Sequence, residues 1–257
     1  MANYFNRQRL QAADILVRNP SRELRVVLGF SVAYVLAAVL TGLAMRAWPH
    51  PLFGATYLTS DVTYVVLFKI GLLLVVPAIA IQRAGYGIGD LTLGWRPTQG
   101  AVARLGVLMA LGVLINGSKL PAISVAAAAL APSEAALRIA FGAVLVFFTA
   151  ALPEEIVYRW ALQTRIERLW GRFPAILVAA VLFTAWHLPT RYLLASGAEG
   201  RAGDLASVLL GTGLPVLVVG LVFGWAWDRW RNLPALVALH WGIDTLPSIA
   251  SFLQLPP

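Results

Sequence analysis

Leu152-Pro-Glu-Glu-Ile-Val-Tyr-Arg-Trp160 sets two adjacent carboxylates at the end of a long apolar run, and how that run is read decides the fold. An acidic side chain at membrane depth costs about 2.5–3.5 kcal/mol on insertion scales, so it is turned inward, paired and functional. In a helix, adjacent residues point about 100° apart while residues four apart share a face. Glu155 is therefore expected to stack on Arg159, leaving Glu154 available. Two further apolar helical patterns carry ionisable groups, Phe183-Thr-Ala-Trp-His187 and His240-Trp-Gly-Ile-Asp244. Three separate segments thus hold buried polar groups that need one another.

The composition around these segments is that of a membrane protein. The 257 residues are 59% hydrophobic and 12% charged, with a mean hydropathy of +0.76, against about 25% charged residues in a soluble domain. Aliphatic runs of about 20 residues match a hydrocarbon core about 30 Å thick and lack the ten-residue alternation of an outer-membrane barrel. The expectation is an all-α, polytopic transmembrane helical bundle of about seven to eight membrane helices. Cysteine is absent, which excludes disulfides, thiolate metal sites and a cysteine nucleophile. The net charge of +8 comes from basic residues clustered in short loops between apolar runs. Membrane topology and anionic lipid account for that pattern, and no nucleic-acid partner is expected.

In chain order, residues 1–25 form a basic segment, expected in the cytoplasm, with a short amphipathic helix stopped near Pro20 and no evident signal peptide. Membrane helices are expected over 26–45, 62–82 and 105–116, with a polar connector over 83–104. Residues 120–131 are too short to cross and read as a re-entrant or peripheral piece. A fourth helix starts near Glu134, passes through the glutamates and continues to Trp170 with Arg159, Arg165, Arg168 and Arg172 at the membrane surface. The remaining spans are 174–188, closed by Pro189, then 205–227, and 234–253. Trp225, Trp227 and Trp230 read as an aromatic anchor at the end of the sixth. The domain division is 1–25, then N-terminal membrane helices over 26–133, then a catalytic membrane core over 134–257. With a cytoplasmic N-terminus, most of the basic residues fall on the cytoplasmic side.

Peptide-bond hydrolysis needs an activated water and a donor for the developing oxyanion. Glu154, His187, His240 and Asp244 can supply both. His240 and Asp244 lie four apart on one face and can act on one point. An apolar pocket suits Glu154 to general-base work near neutral pH, whereas Arg159 would hold Glu155 ionised. The plainer alternatives are a surface ion pair for Glu155 with Arg159 and a satisfied core histidine for His187. Lys69 reads as snorkelling to the interface, and His50 as an exposed loop residue.

Together the three segments resemble the CPBP family of intramembrane proteases, which contains the type II CAAX prenyl proteases and bacterial Abi-type proteins. The signature Glu-Glu-x-x-x-Arg, Phe-x-x-x-His and His-x-x-x-Asn/Asp is met by Glu154, Glu155 and Arg159, by Phe183 and His187, and by His240 and Asp244. The resemblance implies a bundle around a central cavity and hydrolysis of a peptide bond in a membrane-associated protein or peptide. It implies that Glu154 activates water with His187, and that His240 and the last motif residue bind the oxyanion. Asp244 departs from the asparagine of the prenyl proteases, since an ionised aspartate cannot donate a hydrogen bond. It is protonated, or orients His240, or helps to bind a metal. His187, His240 and Asp244 would make a two-histidine, one-carboxylate site for a divalent ion such as zinc, and the alternative is metal-independent glutamate catalysis.

The expected partners are a membrane-anchored or lipidated peptide substrate and the lipid bilayer. The Ala-, Arg- and Leu-rich composition points to a bacterial inner (plasma) membrane. Two other functions fit the same residues less directly. One is non-catalytic binding, as in a bacteriocin-immunity protein; the other is proton or ion transport through a glutamate, histidine and aspartate relay.

Overall fold

A computed structural model describes residues 17–47, 64–92, 98–195 and 197–254. The element order is α1 (Pro20–Ala47), α2 (π-helix over Tyr64–Val75, then α over Val76–Arg83), a single turn at Ile88–Thr92, α3 (Gln99–Ile115), α4 (Leu120–Ala128), α5 (Pro132–Trp170), α6 (Arg172–Leu194), α7 (Leu205–Trp230) and α8 (Leu233–Leu253). Strands are absent from the described residues apart from one isolated bridge, Arg201 with Asp204, so the all-α expectation holds. Among these residues five helices, α1 and α5 to α8, are long and apolar enough to cross a bilayer. There are six if α3 and the segment Gly117–Ala128, bent by 59°, form one broken span. The bend makes 117–128 either the second half of a broken span or a re-entrant piece. The expected N-terminal amphipathic helix, His50 and residues 93–97 of the polar connector lie outside the described residues, and the connector's last residues, from Gln99, are instead the start of α3. Pro20 opens α1 where a stop was expected, because proline's missing N–H costs nothing in a first helical turn.

The chain divides into two compact units. The first holds α1, the C-terminal part of α5 from Ile156, α6 and α7. Small residues let its helices approach closely: a Cβ on Gly42 would meet Leu193 and Thr190, and one on Gly220 would meet Ala180. Helix α6 runs through Pro189 to Leu194 instead of closing there. A transmembrane helix tolerates proline where packing re-satisfies the freed carbonyl, and His187 consequently lies about two turns before the helix end. Arg159 and Arg165, expected at the surface, are 0% and 2% exposed. Arg165 pairs with Glu23 at 3.0 Å and donates to the Trp160 carbonyl at 2.6 Å. Trp227 is likewise core rather than anchor: it is fully buried and donates to Thr164 Oγ1 at 3.1 Å. The left-handed backbone of Arg231 ends α7, and Glu167 holds its guanidinium. At the start of α7, the Ser207 N–H donates to the half-buried carboxylate of the capping Asp204 and holds it below the usual carboxylate range.

The second unit holds α2 as far as Ala80, α3, α4, α5 as far as Glu155, and α8. Ile123, Leu246, Ile249 and Leu253 form an apolar cluster between α4 and α8. Higher up, α3 and α8 cross at two glycines. A Cβ on Gly112 would meet the Leu239 carbonyl, and one on Gly242 the Met109 carbonyl. Pro247 sits inside α8 and cannot donate to the carbonyl of Ile243, four residues earlier. That orphan accepts from Asn116 Nδ2 at 2.7 Å, at the bend after α3. Trp241 Nε1 and Ser248 Oγ similarly donate to the carbonyls of Ala143 and Gly142 on α5, at 2.7 and 2.8 Å.

Candidate active site

The glutamates stand where α5 departs from regular α geometry. It is π-helical over Phe147–Ala151, α-helical over Leu152–Glu155 and π-helical again over Ile156–Gln163. Leu152 N–H bonds to the Phe147 carbonyl five residues back. Pro153 brings no N–H of its own, so widened turns around it are the local response. Widened turns of this kind gather at functional sites because they re-aim side chains at the cost of regular bonding.

Within the second unit, five ionisable side chains converge. Lys69 Nζ lies 2.7 Å from Glu154 Oε1. His240 Nδ1 lies 2.8 Å from Glu155 Oε1, and His240 Nε2 is 3.3 Å from Asp244 Oδ2 and 3.7 Å from Glu154 Oε2. Glu154 and Glu155 are 1% and 0% exposed, and His240 is buried. The Asp244 side chain is 34% exposed and is the cluster's most open member. Glu154 is therefore paired, contrary to the expectation that it would be left without a partner. Lys69 is the residue that sequence reasoning missed. It does not snorkel, being 8% exposed with its ammonium on a carboxylate. The only signal for it was one cation in the apolar run Tyr-Val-Val-Leu-Phe-Lys-Ile-Gly-Leu-Leu-Leu-Val over Tyr64–Val75.

The chemistry of the cluster follows from what each group can donate. Ionised carboxylates only accept, and an imidazole donates from both nitrogens only as the imidazolium. With Nδ1 committed to Glu155, Nε2 is the nitrogen directed at Asp244 and Glu154. The 3.7 Å gap between Nε2 and Glu154 Oε2 is too long for a direct hydrogen bond and short enough for one water to touch both. Of the three roles left open for Asp244, the geometry favours orienting His240 from four residues along the same helix face.

His187, Phe183 and Arg159 belong to the first unit. The Phe183 carbonyl accepts from His187 Nδ1–H at 2.8 Å, which fixes the orientation of the ring. That ring packs on Trp186, with centroids 3.8 Å apart. The Phe183 ring lies under the Arg159 guanidinium at 5.0 Å. The spacing of Phe183 and His187 thus has a physical content: one residue fixes the imidazole through its backbone and supports the arginine through its side chain.

Among the described residues, no group of three or more histidines and carboxylates is arranged to hold a metal ion. In the second unit, a lysine ammonium already sits on Glu154 and a carboxylate on each accessible face of His240. That donor set does not fit a divalent ion.

Residues 136–246 match the family model described as type II CAAX prenyl endopeptidase, Rce1-like. All six residues singled out in the sequence, Glu154, Glu155, Arg159, His187, His240 and Asp244, fall inside the match, while Lys69 and Asn116 fall outside it. Neither the comparison with curated proteins nor that with solved structures gives a match.

Proposed function

We propose, from the match of residues 136–246 to the Rce1-like type II CAAX prenyl endopeptidase family, an intramembrane endopeptidase in which Glu154 activates the attacking water. The observation that carries the reading is the buried arrangement of Glu154, His240 and Glu155, with Glu154 Oε2 facing His240 Nε2 across 3.7 Å. Glu154 takes a proton from water as the water oxygen attacks the carbonyl carbon. The oxyanion accepts a hydrogen bond from His240 Nε2–H, which Glu155 and Asp244 keep in orientation. The proton held on Glu154 then passes to the departing nitrogen as the C–N bond breaks.

His187 keeps the part in water activation that the resemblance gives it, its ring oriented by the Phe183 carbonyl. Arg159 is assigned to holding that part of α5 in place through Phe183. The substrate proposed is a membrane-anchored or lipidated peptide, which the site would meet from the bilayer of a bacterial inner membrane.

The test is cleavage in proteoliposomes by purified protein. The panel comprises a prenylated peptide ending in a CAAX sequence, an acylated peptide and a single-span peptide. General-base catalysis contributes about 10²–10⁴-fold. Glu154→Gln is therefore expected to lower the cleavage rate of whichever member is cut by at least about 100-fold, with an unchanged oligomer profile and with a lowered melting temperature, because the buried Lys69 ammonium loses its carboxylate. Full cleavage by Glu154→Gln would remove the assignment. Binding of a panel member that persists in both Glu154→Ala and His187→Ala, with no cleavage by the wild type, would favour the non-catalytic reading.

A further inference from the structure

Lys69 belongs to neither the matched segment nor any of the three motifs, yet its ammonium is the nearest partner of the glutamate assigned to the chemistry. It comes from the π-helical start of α2, a stretch otherwise made of valine, leucine, isoleucine, phenylalanine, tyrosine and glycine. A lysine on such a helix normally extends its four-carbon stem toward the interface. This one is 8% exposed and turns inward, and placing a cation at membrane depth is costly unless it answers a charge.

The two oxygens of Glu154 are not equivalent. Oε1 is held at 2.7 Å by Lys69, and Oε2 is 3.7 Å from His240 Nε2. A carboxylate in an apolar setting rotates about its last torsion with little to choose between its oxygens, because terminal sp³–sp² torsions are broad. Only a fixed donor on one oxygen decides which oxygen addresses the water. We propose that Lys69 is a positioning residue: its ammonium pins Glu154 Oε1, so that Oε2 alone faces the reacting water and His240. Its positive charge also lies within a cluster that gathers three carboxylates, Glu154, Glu155 and Asp244, around His240. This inference rests on the assignment of Glu154 as the base, and the tests below separate failure of one from failure of the other.

Lys69→Met keeps the length of the side chain and removes the charge. In the proteoliposome assay it is expected to lower kcat at least tenfold while changing KM less than twofold, because the substrate is still bound and only the base is misaligned. The chain contains no cysteine, so Lys69→Cys can be aminoethylated at that position alone, which restores an ammonium at nearly the original reach. Aminoethylation is expected to recover most of the lost kcat, a gain that a purely structural role for the lysine would not give.

A second readout needs no substrate. The infrared difference spectrum between wild type and Glu154→Gln isolates the Glu154 carboxylate stretch, and the same difference taken in the Lys69→Met background is expected to show that band displaced. If Glu154→Gln abolishes cleavage while Lys69→Met retains kcat, or if the Glu154 band is the same in both backgrounds, Lys69 does not position the base. If Glu154→Gln cleaves normally, the functional reading itself fails, whatever Lys69 does.

Discussion

At the scale of single residues, burial decides which members of the cluster the protein can lose. Glu155 is 0% exposed and answers His240 Nδ1 at 2.8 Å, so removing it takes the Nδ1 partner from a buried imidazole. Removing one partner of a buried ion pair costs about 3–5 kcal/mol. Glu155→Ala is therefore expected to lower stability to denaturation in detergent by about that amount, together with a loss of cleavage. Asp244 is the contrasting case, since its side chain is 34% exposed and 3.3 Å from Nε2. A half-buried carboxylate keeps part of its hydration, so its pair is worth less than a fully buried one, and asparagine still offers a carbonyl oxygen to Nε2–H. Asp244→Asn is thus expected to leave stability nearly unchanged and cleavage within about tenfold, or about 1.4 kcal/mol. Comparison of the two variants by unfolding in denaturing detergent and by initial rates checks the ordering; equal losses in both would show that burial does not govern the cluster.

At the scale of elements, irregular backbone positions the chemistry, and each irregularity has a chemical answer elsewhere. Pro247 frees the Ile243 carbonyl one residue before Asp244, and Asn116 at the bend after α3 supplies the missing donor at 2.7 Å. A buried acceptor left unsatisfied costs about 1–3 kcal/mol, so Asn116→Ala is expected to lose about that much stability. Pro247→Ala returns a backbone N–H to the same carbonyl, so the Asn116→Ala/Pro247→Ala double variant is expected to recover most of the loss; independent, additive effects in the unfolding midpoint would contradict the pairing. This level of structure was only partly legible in the sequence. Hydropathy located the helices α1 and α5 to α8 and flagged 120–131 as too short to cross. It placed a stop at Pro189, because a local rule cannot see the packing that lets α6 run through a proline. It set Arg159 and Arg165 at the surface, because their partners, the Phe183 ring and Glu23, come from other helices.

At the scale of the whole chain, the motifs were legible and their completion was not. Glu154, Glu155, His240 and Asp244 stood out as polar groups at helical spacing within apolar runs, and four residues of separation set His240 beside Asp244. Lys69 did not stand out, since a lone lysine in an apolar helix carries the same local pattern whether it snorkels or pairs inward. Topology follows from the basic residues and the helix ends. With Arg18, Arg22 and Arg25 cytoplasmic, the end of α5 also falls on that side, and the loop after α6 on the other. In this cysteine-free chain, a membrane-impermeant maleimide added to intact cells is expected to label Ala198→Cys and to reach Leu169→Cys only after the membrane is opened; the reverse pattern would invert the topology. The central claim, that Glu154 activates water for peptide-bond hydrolysis, is tested most directly by cleavage of a panel substrate in ¹⁸O-enriched water, followed by mass spectrometry of the new carboxyl terminus. Wild type should place one ¹⁸O in that terminus while folded Glu154→Gln yields no product above background, whereas ¹⁸O-labelled product formed by Glu154→Gln at the wild-type rate would contradict the account.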